Sequence, residues 1–188
     1  MATIVAVEYI TLDGVFEEPA WSGPYFGEEL GTFQWNNLFG ADALLLGRVT
    51  YEGFSEAWPQ MEETTGDFGK RMNSMPKYVA TSSRKPLTWN ATALSDSGEN
   101  DVVEAIKKLR AESEGVLLLN GSADLFNMLS SHGLVDEYRF MIFPVVVGRG
   151  KKLWAKGVPE QALTLTNSDM TKEGVAVLTY VPAAPAAE

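Results

Sequence analysis

The sequence predicts an α/β fold: a mainly parallel sheet with helices on both faces, closed near its end by an antiparallel strand pair. Short apolar runs alternate with helical patterns through most of the chain, and parallel strands need such crossovers and bury both sides. The last strand-like runs follow one another without long helices, which pairs them antiparallel. Three of the apolar runs also end in small, hydroxyl-bearing or glycine-bearing turns that open toward a helix.

Residues 3–10 read as the first strand, with Ile4, Val5, Ala6 and Val7 ahead of the turn signal Leu12-Asp13-Gly14. A loop rich in Pro, Gly and aromatics follows, and 27–38 carries Leu30, Phe33, Gln34 and Leu38 at near-helical spacing. The strand at 43–46 leads into a short helix at 50–54, which Trp58-Pro59 should end, and 60–75 reads as a polar stretch. Further strands are expected at 77–80 and 91–94. Residues 99–112 give the clearest helix, capped by Asn100 or Asp101 and burying Val102, Val103, Ile106 and Leu109. A fully apolar strand at 116–119 and a helix at 123–129, closed by Gly133, come next. Residues 137–147 form a long β-rich run interrupted by Pro144, and 164–167 with 175–181 suit the closing pair. One domain over 1–181 and a disordered tail at 182–188 are expected from the length and from the Ala- and Pro-rich end.

A chain of 188 residues with 45% hydrophobic and 21% charged side chains can bury a real core and is not of a disordered class. The net charge of −10 argues against a nucleic-acid partner, whose affinity draws on clustered Lys and Arg. No apolar stretch reaches the roughly 18 to 20 residues of a membrane span, and the N-terminus enters a strand without a basic leader, so a cytoplasmic protein is expected. With no Cys and one His, His132, neither a thiolate metal site nor a Ser-His-Asp triad is expected, and no metal is assigned.

The chemistry lies in the three strand ends. Leu46-Gly47-Arg48-Val49-Thr50 puts a glycine, a guanidinium and a hydroxyl at a helix start, where free amides and the helix dipole favour an anion. Ala80-Thr81-Ser82-Ser83-Arg84 and Leu119-Asn120-Gly121-Ser122-Ala123 repeat the theme. All lie at carboxyl ends of strands, where open α/β sheets bind ligands, so three such ends on neighbouring strands suit one phosphate-rich ligand.

Taken in order, Thr11-Leu12-Asp13-Gly14-Val15, Leu46-Gly47-Arg48-Val49-Thr50-Tyr51-Glu52, Pro76-Lys77-Tyr78-Val79-Ala80-Thr81-Ser82, Asn120-Gly121-Ser122-Ala123-Asp124-Leu125 and Leu134-Val135-Asp136-Glu137-Tyr138 resemble the dihydrofolate-reductase-like superfamily. The match is to its bacterial branch, related to the reductase domain of riboflavin biosynthesis, and the run Pro144-Val145-Val146-Val147-Gly148-Arg149-Gly150 is similar to that branch's Pro-X-X-X-Gly-X-Gly pattern. It spans about residues 3–181. The resemblance implies a three-layer sandwich and an NADPH-dependent reductase acting on a small planar heterocyclic or carbonyl compound, as a homodimer by analogy with the riboflavin-pathway domain.

The same resemblance carries Gly47, Arg48, Val49 and Thr50 onto the cofactor phosphates. It sets Thr81, Ser82, Ser83 and Arg84 around the adenosine 2′-phosphate, and Asn120, Gly121, Ser122 and Ala123, with Leu125 following, at the pyrophosphate. Asp13 matches the aspartate near the substrate in the riboflavin branch and is the candidate acid. The residues themselves offer an aromatic cluster, Trp21, Tyr25, Phe26 and Trp35, to stack a flat heterocycle, with Trp21 and Phe26 the substrate-binding candidates. Dihydrofolate reductases proper carry a Pro-Trp-X-Leu-Pro loop and a helix carboxylate; here the loop reads Pro19-Ala20-Trp21-Ser22-Gly23-Pro24, and Glu28 and Glu29 fall about a turn early, so dihydrofolate is not the implied substrate. Plain structural readings stay open: Gly47 and Gly121 as turn glycines, Arg48 paired with Glu52, Asp13-Gly14 as a turn, the apolar run 140–147 as a dimer face, and the whole as a non-catalytic binding module.

Overall fold

In the computed structural model residues 1–83, 85–94 and 99–184 are described, with backbone alone at 99 and 100. The elements in chain order are β1 (Thr3–Thr11), a 3-10 helix (Pro19–Tyr25), α1 (Glu28–Phe39), β2 (Ala43–Gly47), α2 (Arg48–Thr65), α3 (Asp67–Ser74), β3 (Lys77–Ala80), β4 (Ala91–Leu94), α4 (Glu99–Glu112), β5 (Val116–Leu119), α5 (Ala123–Ser131), β6 (Glu137–Phe143), β7 (Leu163–Met170) and β8 (Ala176–Pro182). They form one eight-stranded sheet in the order β4-β3-β2-β5-β1-β6-β8-β7. The first six strands in that order pair parallel, and β8 and β7 pair antiparallel. This is the mixed α/β architecture expected, with a mainly parallel sheet and an antiparallel C-terminal pair.

Alternation along the strands divides the core. Ile4 and Ala6 face a cluster with Val103, Ile106, Leu125, Phe126 and Leu129 of α4 and α5. Val5 and Val7 face the other way, onto Leu30 and Leu38 of α1 and Met72 of α3. Burying a Leu- or Ile-sized side chain contributes about 1.5–3 kcal/mol, so these stripes fix which helix covers which face.

Five expectations are corrected. Pro59 lies inside α2 and does not end it. Proline removes one backbone donor there, a cost of about 3 kcal/mol in a helix interior, which the packing of Trp58 on Phe54 and Phe68 offsets, at ring distances of 6.3 and 5.5 Å. The stretch 60–75 is helical: Gly66, at φ +59°, separates α2 from α3. Gly69 lets α3 approach so closely that a Cβ there would stand 2.3 Å from Thr65 Oγ1 and 2.9 Å from Glu62 Cα. The run 137–147 is strand only to Phe143, because Pro144 breaks it as its missing donor requires. The tail begins later than expected: Pro182 closes β8, and the Ala183 amide donates to the Ala162 carbonyl at 2.9 Å. Asn100 and Asp101 fall within α4, not ahead of it. Residues 185–188 of the expected tail, and Arg84, lie outside the described residues. No described helix is long and apolar enough to cross a membrane.

Candidate functional site

β3, β2 and β5 are immediate neighbours and parallel, so their carboxyl ends share one edge of the sheet. Along that edge runs a groove of about 750 Å³. Gly47, Arg48 and Val49 enter it from the start of α2, Thr81 and Ser82 from the end of β3, and Ser122 and Leu125 from the start of α5. The expected cofactor residues of three distant segments therefore meet in one place.

Two helix starts face this space. Gly47 caps α2 without any side-chain hydrogen bond, and no acidic residue lies in the first turn, so the leading amides and the dipole are left for an anion. Ser122 caps α5 and accepts from the Leu125 amide at 3.4 Å. The two starts are locked together: the Gly47 amide donates to the Gly121 carbonyl at 3.0 Å. A Cβ on Gly47 would fall 2.2 Å from Ser122 Oγ. Gly121 has φ +70° and its peptide to Ser122 is cis. A Cβ on Gly121 would meet Phe16 Cζ at 2.9 Å and Thr50 Oγ1 at 3.0 Å. Glycine is required at both positions by this closeness.

The remaining expected contacts divide. Thr50 and Gly121 sit behind the groove wall, and Asn120 donates from Nδ2 to the Val7 carbonyl at 3.3 Å. Ala123 is buried in the core. Thr81 is buried and its hydroxyl accepts from the Ser83 amide at 3.0 Å, while the Ser83 hydroxyl accepts from Lys85 at 3.2 Å. Of the three hydroxyls, that of Ser82 is exposed. Arg48 forks onto both carboxylate oxygens of Glu52, at 3.0 and 2.9 Å. An exposed i,i+4 pair of this kind contributes only about 0.3–0.5 kcal/mol, so a phosphate can displace it.

Asp13, Trp21 and Phe26 do not line the groove. Asp13 joins two loops: its Oδ1 accepts from Thr11 Oγ1 at 2.6 Å and the Val147 amide at 3.2 Å, and its Oδ2 from the Gly148 amide at 2.9 Å. The Thr11 and Gly148 hydrogen bonds hold its pKa down at about 2. A carboxylate so held stays ionised at neutral pH. Trp21 packs edge-on against Phe143 at 5.2 Å, and Phe26 is half exposed beside Gly31.

Sequence reasoning missed Glu8. It is buried on β1, accepts from the Gly121 amide at 2.9 Å, and is pushed up to about 8 by desolvation, against that hydrogen bond. A lone acid inside an apolar strand was the signal. It also missed Val102, the α5 side chains Asp124, Asn127 and Met128, and the segment 155–158, which share the groove wall; nothing in their local sequence marks them, since tertiary structure alone brings them there.

The groove runs along the carboxyl edge of a mixed sheet and is walled by two helix starts, and the family and fold matches that follow make the chain a reductase-type oxidoreductase with a dihydrofolate-reductase-like fold. Residues 2–177 match the model of the RibD C-terminal domain, and the chain belongs to that family. It is 28% identical over 177 residues to protein YyaP of Bacillus subtilis (strain 168), covering 91% of this chain and 90% of that one. Among solved structures, a riboflavin biosynthesis protein from Shewanella sp. PV-4 superposes with a TM-score of 0.73 at 16% identity, over 98% of this chain and 100% of the other. Dihydrofolate reductase from Enterococcus faecalis, complexed with NADP(H), does so with a TM-score of 0.61 at 16% identity, over 96% of each chain.

Proposed function

We propose that this chain is an NADPH-dependent reductase, acting as a homodimer in the cytoplasm, that transfers a hydride to a small planar heterocyclic or carbonyl-bearing substrate. The observation that carries the reading is the convergence of Arg48, Ser82 and Ser122 on one groove from three adjacent strand ends. The donor set fits a phosphate-rich dinucleotide: free amides at the start of α2, the Ser82 and Ser122 hydroxyls, and the cations of Arg48 and Lys156. NADP(H) in the Enterococcus faecalis complex supports the choice.

When bound, the dinucleotide supplies the hydride, and the protein's work is binding, orientation and exclusion of water. Arg48 would exchange Glu52 for phosphate, and the α2 amides would hold the pyrophosphate without a counter-charge. Val102, Leu125 and Val158 offer apolar walls to a flat base. Asp13 acts through the loops it joins, holding 147–148 against the end of β1.

Nicotinamide fluorescence on titration with NADPH tests this directly. Binding in the micromolar range is expected, with Arg48→Ala about tenfold weaker, the worth of one charge-assisted hydrogen bond. Equal affinity for NADH, or no binding up to millimolar NADPH, would sink the cofactor assignment. Binding without oxidation across a panel of carbonyl and heterocyclic compounds would instead favour a binding module.

A further inference from the structure

Tyr9 lies near the carboxyl end of β1, next to Glu8 in sequence and on the opposite face of the sheet. Its ring packs on Phe143 at 5.2 Å, and Trp21 and Tyr25 meet the same Phe143 at 5.2 and 6.2 Å. A chain of side-chain hydrogen bonds ends on its hydroxyl. Arg139 Nη1 donates to Asn37 Oδ1 at 2.5 Å, Asn37 Nδ2 to Gln34 Oε1 at 3.0 Å, and Gln34 Nε2 to Tyr9 Oη at 2.7 Å. Behind it, Glu137 balances Arg139, accepting from its Nε at 2.5 Å.

This chain has only one direction. A guanidinium donates and never accepts, so Asn37 must turn its oxygen to Arg139 and its amide nitrogen to Gln34. Gln34 must then turn its oxygen to Asn37 and its nitrogen to Tyr9. The Tyr9 oxygen is thereby made an acceptor, and its own hydrogen cannot be spent on Gln34. Gln34 is the one hydrogen-bond partner of that hydroxyl among the described residues.

We propose that Tyr9 is a substrate-binding residue whose hydroxyl donates a hydrogen bond to the carbonyl oxygen or ring nitrogen of a flat heterocycle seated against Trp21 and Tyr25, whose rings are backed by the buried Phe143. The class of ligand rests on the reductase reading above; the donor itself rests on the direction of the chain. Burial pushes the phenol up to about 12, more than the Gln34 hydrogen bond lowers it, so the hydrogen is present throughout the physiological range. Gly31, one turn before Gln34 on α1, carries no side chain, and a Cβ there would find only Phe26 Cε1 within 4 Å, at 3.8 Å. Arg139 and Gln34 are positioning residues.

The test uses lumazine (pteridine-2,4-dione), a flat fluorescent heterocycle with carbonyl acceptors, titrated into the full chain. Wild type should bind it, and Tyr9→Phe, which keeps the ring, should weaken it about tenfold or more. Gln34→Glu sets a carboxylate against the phenol, consumes its hydrogen, and should weaken lumazine as Tyr9→Phe does. Gln34→Leu leaves the hydrogen free and should stay nearer wild type. Unchanged binding in Tyr9→Phe, wild-type binding in Gln34→Glu, or no binding to wild type would each overturn the proposal. NADPH fluorescence in the same variants separates the two readings: lumazine bound without NADPH fails the cofactor assignment alone, and NADPH bound with an indifferent Tyr9→Phe fails this one alone.

Discussion

Glu8 holds its proton because it sits in apolar surroundings with one amide donor, and that proton sets a pH dependence for the whole chain. Its folded pKa, about 8, lies above the ordinary 4.5, so the folded state binds more protons than the unfolded state between these values. The stabilisation is complete below about 4.5 and is lost as the pH rises through 8, at up to about 1.4 kcal/mol per unit. Glu8→Gln should flatten that limb in urea melts run from pH 5 to 9; an unchanged profile would place the titration elsewhere. Asp13 has the opposite sign. Its pKa is lowered to about 2, so its contribution is full above about 3.8 and fades as the pH falls toward 2. Asp13→Asn should remove this acid-side loss and loosen 147–148, read as faster amide exchange at Val147 and Gly148.

At the scale of elements, the strand-to-helix turns carry both stability and binding. Gly47→Ala drives a methyl into Ser122, whose Oγ and backbone nitrogen stand 2.2 and 2.9 Å from the added carbon. The start of α5 must shift, and NADPH affinity should fall more than tenfold while the circular dichroism spectrum is retained; wild-type affinity would mean that the two turns do not act together. These turns were legible because glycine, hydroxyl and charge follow an apolar run. α3 was not legible. Its helix depends on Gly69 fitting against Thr65 and on Asn73, which donates to Glu62 at 2.6 Å and accepts from the Trp89 indole at 2.7 Å, all contacts beyond its own stretch. Pro59 misled for the same reason, since its cost is local and its compensation is tertiary.

At the scale of the molecule, the parallel sheet and the meeting of its strand ends could be read from alternation and polar turns, whereas the site's second half could not. Tyr9, Gln34 and Arg139 are 25 to 130 positions apart in pairs that only α1 and β6 bring together. The same view bears on assembly. Within the run 140–147, Phe140, Met141 and Phe143 are buried in the sheet, while Pro144 and Val146 are exposed. β7 is one of the sheet's two edge strands, β4 being the other, and is exposed along nearly all its length, with Leu165 and Met170 at 49% and 67% exposure. Such an edge is a template for pairing with a second copy. Sedimentation should give a dimer that Leu165→Lys with Met170→Lys converts to monomer, and a monomeric wild type would remove the homodimer from the proposal.

The sheet also works as a partition. Along β1, Glu8 turns toward α5 and Tyr9 toward α1, one residue apart. On the reductase reading proposed above, variation confined to alternate positions of β1, to α1 and to the 3-10 helix would retune what the molecule takes in and leave the groove on the far side untouched, so that a combinatorial library restricted to that side offers a route to new specificities from one unchanged source of reducing power.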